Sequence, residues 1–278
     1  MTHFVETYTY AEAIACLEGR IGMTGLKGKA SIEEVKGRNS FYTTKTPQAC
    51  IEVMRSGWKK GRDGLKAAIA SMPAVDVDGI IQTFDVAGGL PDVPLYLSGE
   101  PEHFRTFGEV VEKLQPVVTL YVNRAAHCGI DAKSLAAWGG AIVRYALGLE
   151  AAGMTAEVIV YSSVRHGSHT VTSTVKVKEA NEPWDLDRIA FTVAHGDMLR
   201  RVVFAMNERD EALNLADSDF FYGYGHPSDM PAHLRKEAPA GSIFFPRLEN
   251  DITMEEAITR VDTLTAEAIA KAWTEAAA

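Results

Sequence analysis

The chain has 278 residues, 46% of them apolar, and a formal net charge of -9 at neutral pH. That length can bury a sizeable core, as one large domain or as one domain with an extension. The acidic balance argues against a broad electrostatic grip on nucleic acid or anionic lipid, since both require clustered cations.

The first residues lack a basic start leading into an apolar core. The most apolar helical stretch is interrupted by Arg144 and Glu150. Neither a secretory signal nor a membrane span is expected. Three cysteines, Cys16, Cys50 and Cys128, are odd in number and far apart. They suit a reducing compartment rather than a disulfide framework, so a cytoplasmic protein is expected.

Residues 1–75 read as a helical N-terminal extension. Thr9 and Glu12 form a capping box that opens a short helix. Thr46-Pro47 supplies an N-cap and a proline at the first helical position. Between them, residues 22–37 are rich in Gly and Lys and read as a loop. Lys59, Lys60, Arg62 and Lys66 read as a solvated helix face rather than a nucleic-acid patch.

Residues 76–278 read as an α/β domain. Residues 79–86 form an apolar run suited to a strand, followed by a proline- and glycine-rich connection over 87–104. The strand over 116–123 runs into the polar turn 124–130. An amphipathic helix over 132–152 places Leu135, Trp138, Ile142, Tyr145 and Leu149 on one stripe. Asp131 is its expected N-cap and Gly153 its expected C-cap, while Gly139-Gly140 inside it implies close packing. A strand over 156–162 completes a βαβ unit. Residues 170–178 alternate as a strand with one solvated face, and 185–194 and 197–207 read as two helices broken at His195-Gly196. A short strand at 242–246 and a C-terminal helix capped by Thr253 and Glu256 close the chain. The fold class is therefore α/β, an open, mostly parallel sheet flanked by helices.

Ligands of such sheets collect at the carboxyl ends of the strands. The expected binding residues there are Asn123, Arg124 and His127 after the first βαβ strand, and Arg165 and His166 after the second. Tyr222 and Tyr224 in the aromatic segment 220–227 add a candidate loop. His127, Cys128, His166 and His169 form an alternative set, since thiolate and imidazole suit zinc, and a zinc-dependent hydrolase is the competing enzyme class. Cys128 as a nucleophile with His127 or His166 as base lacks an orienting third residue. No phosphate-loop or dinucleotide fingerprint follows a strand. No cofactor and no catalytic residue are assigned.

The order of these elements resembles a von Willebrand factor A-type domain over roughly the last 200 residues. In that family the first strand ends in Asp-x-Ser-x-Ser, whose oxygens hold a divalent metal. The matching positions here are Asn123-Arg124-Ala125-Ala126-His127, so the resemblance implies the fold but not the metal. The stretch 175–201, together with Ser56-Gly-Trp-Lys-Lys-Gly61, is similar to uncharacterised proteins of phages and actinobacteria. The resemblance implies a binding or adaptor protein of a phage-type assembly, in the host cytoplasm if phage-encoded. A-type domains often work with ring ATPases, which makes such an ATPase an expected partner. A structural component of a phage particle is the third class.

Overall fold

The chain opens on a strand, where a helical extension was expected. The computed structural model describes residues 2–23, 29–35, 42–71, 83–85, 90–91, 104–106, 117–127, 129–151, 154–167, 169–209 and 224–276. Strand β1 (Thr2–Thr9) leads through the Thr9–Glu12 capping box into α1 (Tyr10–Arg20). A turn of 3-10 helix (Ala30–Ile32), α2 (Pro47–Ser56) and α3 (Lys59–Ser71) follow. Strands β2 (Thr83–Asp85), β3 (Leu90–Pro91) and β4 (Phe104–Thr106) form a separate antiparallel sheet. The main body then runs β5 (Val117–Asn123), α4 (Ala132–Ala151), β6 (Thr155–His166), β7 (His169–Lys178) and α5 (Leu186–Ala194). A π-helical segment (Met198–Val203), α6 (Phe204–Arg209), β8 (His226–Ser228), α7 (Ala232–Glu237), β9 (Ile243–Phe245) and α8 (Met254–Ala276) complete it.

The main sheet has the order β1-β7-β6-β5-β9, with β8 paired to the far end of β6. Strands β5 and β6, β5 and β9, and β1 and β7 are parallel, while β6 turns back on β7 as an antiparallel hairpin. The result is a mostly parallel mixed sheet flanked by helices, consistent with a von Willebrand A-like open sheet. Among the described residues no helix is long and apolar enough to cross a membrane.

Two further expectations change. Residues 79–82 and 86 of the first expected strand lie outside the described residues, and Thr83–Asp85 belongs to the small sheet, not the main one. Strand β7 was read as having one solvated face, yet Thr170, Thr172 and Thr174 are buried like Val171 and Val175. The reason is position: β7 is an interior strand between β1 and β6. Its hydroxyls find partners across the strands, Thr172 with Ser163 at 3.1 Å and Thr174 with Thr7 at 2.9 Å. A threonine hydroxyl so paired tolerates burial that an unpaired one would not.

The helical side of the sheet holds the core. Helix α4 buries Leu135, Trp138, Ile142, Tyr145 and Leu149, the stripe expected from periodicity, and packs against α5 and α8. Asp131 Oδ1 accepts the Ser134 amide at 2.6 Å, an N-cap as expected; Gly153 lies outside the described residues. Trp138 meets Phe245 edge to face with ring centroids 6.2 Å apart. Gly139 lets α4 approach α5: a β-carbon there would stand 2.8 Å from Val193 Cγ2 and 2.9 Å from its carbonyl oxygen. Backbone on one side of that contact cannot yield as a side chain can. Gly139→Ala is expected to destabilise the chain by about 1–3 kcal/mol, the usual range for overpacking. A lowered midpoint in urea at unchanged slope is the measurement that shows it; an unchanged midpoint refutes the close approach.

Candidate functional site

The carboxyl end of β5 is built by its own last residue. Asn123 Oδ1 accepts the Ala125 amide at 2.9 Å, folding the strand end into a turn. Its Nδ2 donates to Ser228 O at 3.0 Å and to Asp229 Oδ1 at 3.2 Å, which tethers β8. Asn123, Ala125 and Ala126 are buried. Asn123, expected as a binding residue, is thus buried with both its amide atoms engaged in positioning the turn. The divalent metal of A-type domains does not fit either. The amide oxygen is already engaged, and the next side chain is a cation.

That cation, Arg124, was expected on the surface. It is 2% exposed. The backbone amide of Arg124 donates to Tyr161 O at 2.6 Å, which turns the side chain inward beneath the end of α5. There Nη2 donates to His195 O at 3.3 Å, and Nε has no hydrogen-bond partner. Among the described residues, Arg20, Arg144, Lys178 and Arg201 are equally buried cations, and each faces a carboxylate: Glu208, Asp262, Glu150 and Asp197. Arg124 faces none. Burial, then the neighbouring Arg200 guanidinium, push its pKa down to about 10, which still leaves it charged at neutral pH. A buried charge without a counter-charge is costly.

His195 forms the roof. It stacks on Phe191 with centroids 4.6 Å apart and takes the edge of Trp58 at 4.7 Å. Its Nδ1 accepts the Asp197 amide at 3.2 Å. Burial pushes its pKa below the ordinary 6.5, to about 4; Asp197 pulls the other way and Arg124 adds to the depression.

Behind the roof lies a polar scaffold. Asp197 accepts the amides of Thr43 and Thr44 at 2.8 and 2.7 Å and the Thr44 hydroxyl at 2.6 Å. Arg201 donates to Ser31 O, Glu33 O and Thr44 O at 2.9–3.1 Å and lies 4.5 Å over the Tyr42 ring. Glu208 receives Arg20 at 2.9 Å and the hydroxyls of Ser31 and Tyr224. Ser31 is therefore buried inside the segment read as a loop, and residues before 75 are stitched to the π-helical segment.

The remaining candidates separate. His127 is exposed, its Nδ1 accepting the Gly129 amide at 3.1 Å and its carbonyl oxygen accepting Arg200 at 3.5 Å. Arg165, exposed, pairs across β6 and β8 with His226, also exposed. His166 and His169 face one another at the tip of the β6–β7 hairpin. Asn123 aligns with Tyr161, so that tip runs five residues, roughly 16 Å at ~3.3 Å per residue, past the end of β5. The expectation that adjacent turns bring His127 to His166 and His169 fails for that reason. Cys128 lies outside the described residues; among the described ones no three His, Cys, Asp or Glu side chains are grouped to hold a metal ion. Tyr222 also lies outside. Tyr224, a candidate contact, is instead buried, stacked on Phe204 at 4.0 Å.

Over residues 1–269 the sequence matches the family described as Domain of unknown function (DUF7192). The chain belongs to this family. No curated protein and no solved structure matches it. The match takes in both β1 and the turn after β5.

His195, Asp197, Arg200 and Arg201 were missed as site residues. The one local signal was the break at His195-Gly196 between two helical stretches. An imidazole held neutral in the fold takes up a proton on unfolding once the pH falls below 6.5. Its contribution to stability is therefore present above that value and lost as the pH falls toward about 4. Urea unfolding at pH 7.5 and 4.5 is expected to show the wild type losing about 2 kcal/mol more than His195→Gln. Equal losses in the two proteins would refute this account of His195.

Proposed function

We propose that the protein is a non-catalytic binding module that receives a protein partner on the rim formed by the carboxyl ends of β5 and β6. The observation that supports this best is the character of that rim on a chain of net charge -9. His127, Arg165 and His226 are exposed there, with His166 and Arg200 partly so. Asp131 and Asp251, toward α8, are engaged instead in the start of α4, where Asp251 Oδ1 accepts the Asp131 amide at 2.9 Å. Asp229 is exposed at the same end, so the rim offers both donors and acceptors to a partner. Asn123 and Asp197 use their polar atoms to hold the fold, which favours recognition over bond-breaking as the role of this end.

The strand order and the likeness of residues 175–201 to proteins of phages and actinobacteria support a place in a macromolecular assembly of phage type. A ring ATPase is the partner class that the A-type resemblance suggests. The reading is tested by photo-crosslinking in the cells that express the protein. A photoreactive residue is placed at position 127, 165 or 181. Asn181 is exposed at the opposite end of the sheet, beyond β7. Adducts of one common mass at 127 and 165 but not at 181 are expected. Equal yields at all three positions, or none at the rim, would refute the rim as a contact surface.

A further inference from the structure

We infer that a cleft over the carboxyl ends of β1 and β7 is a site for a small organic monocarboxylate. Lys176 takes the acid group, and Tyr10 and Ile14 take the apolar body. The site lies at the opposite end of the sheet from the rim and does not rest on the reading of the rim.

Strands β1 and β7 run parallel to each other and antiparallel to β6, so their carboxyl ends point away from the rim. Thr9, the last residue of β1, lies beside Lys176 of β7 in the register. The preference of ligands for the carboxyl ends of parallel strands therefore applies at this end too. A cleft of about 630 Å³ opens there, within the size range of small-molecule sites. Tyr10, Ile14 and Pro183 give it an apolar wall, and Lys176, Glu179 and Arg188 line its polar side.

The wall is fixed by bonds to the rest of the fold. The Tyr10 hydroxyl donates to Met54 O at 3.2 Å, and the Arg188 guanidinium lies 5.3 Å over the Tyr10 ring. Arg188 also donates to Val177 O at 3.2 Å and to Glu182 Oε1 at 2.7 Å, so these two charges neutralise each other. The start of α1 is closed by its own capping box and offers no seat: Glu12 accepts the Thr9 amide at 2.7 Å, and Thr9 Oγ1 accepts the Glu12 amide at 3.2 Å. Lys178, two residues along β7, faces Glu150 at 2.9 Å. Lys176 is the cation left over, partly buried in the cleft and in no ion pair among the described residues. One unpaired ammonium beside an apolar wall selects an anion with an apolar body. Glu179, exposed on the same cleft, sets the charge of that anion. A dianionic phosphoryl group would meet its repulsion more strongly than a monocarboxylate, whose single charge Lys176 matches.

The test is ligand-observed NMR titration of the full chain with phenylbutyrate, phenylbutylamine, phenyl phosphate and acetate at constant ionic strength. Saturable binding of phenylbutyrate is expected, with each of the others about tenfold weaker or more, the weight of one hydrogen bond to a charged group. Lys176→Met should weaken phenylbutyrate by a similar factor without lowering the thermal midpoint, since the ammonium has no ion pair to lose. Ala11→Trp, on the exposed first turn of α1, fills the cleft and should abolish binding with Lys176 intact. No saturable binding of phenylbutyrate, or binding that survives either substitution unchanged, overturns the inference. Equal affinity for the amine or for acetate does the same, and tighter binding of phenyl phosphate overturns the choice of a monocarboxylate. A lowered midpoint in Lys176→Met would make the lysine a support of the fold and overturn its role as the seat.

Discussion

The close contact between Gly139 of α4 and Val193 of α5 sets the geometry on which both core and site depend. Only a residue without a β-carbon lets α4 lie against the Val193 backbone. Two residues later α5 is capped by His195, whose amide donates to Phe191 O at 3.0 Å. The His195 carbonyl is then placed over the end of β5, where it meets the guanidinium of Arg124. Because α4 also follows β5 directly, one helix fixes both the strand that supplies the arginine and the helix end that covers it. A side chain at 139 would therefore lift the roof as well as loosen the core.

The segment before residue 75 contributes a second constraint from the far side. Thr43 and Thr44 hold Asp197, and the backbone near Ser31 and Glu33 holds Arg201. Both residues flank or lie in the π-helical segment, a conformation less stable than α-helix that persists where surrounding bonds demand it. The wider turn carries Arg200 and Arg201 next to each other, one toward the rim and one into the interior. Buried ion pairs add little net stability compared with apolar packing, yet they are strongly directional. The Asp197–Arg201 and Arg20–Glu208 groups thus act chiefly to fix where the N-terminal segment docks.

Legibility in the sequence followed distance along the chain. The capping boxes at Thr9–Glu12 and Thr253–Glu256, the cap at Asp131 and the stripe on α4 link residues within a few turns, and all were readable. The βαβ unit and the short strand at 243–245 were readable as well, because apolar periodicity is local. Strand β1 was not: Thr2–Thr9 lacks strong apolar alternation and becomes a strand by pairing with β7, far away in sequence. Arg124 was placed at the right strand end but given the wrong exposure. An arginine in a polar turn reads as solvated, and what buries it is His195, some seventy residues on. Tyr224 was misread for the same reason, since Phe204 and Glu208 lie across a stretch of irregular sequence.

The strand end itself explains why position and chemistry must be argued apart. The resemblance to A-type domains would put a divalent cation at the turn after β5. Its residues reverse the sign. The oxygen of Asn123 is taken by the Ala125 amide, and the next side chain brings a positive charge into a buried setting. A divalent cation there would meet the repulsion of that charge and find one neutral oxygen already in use.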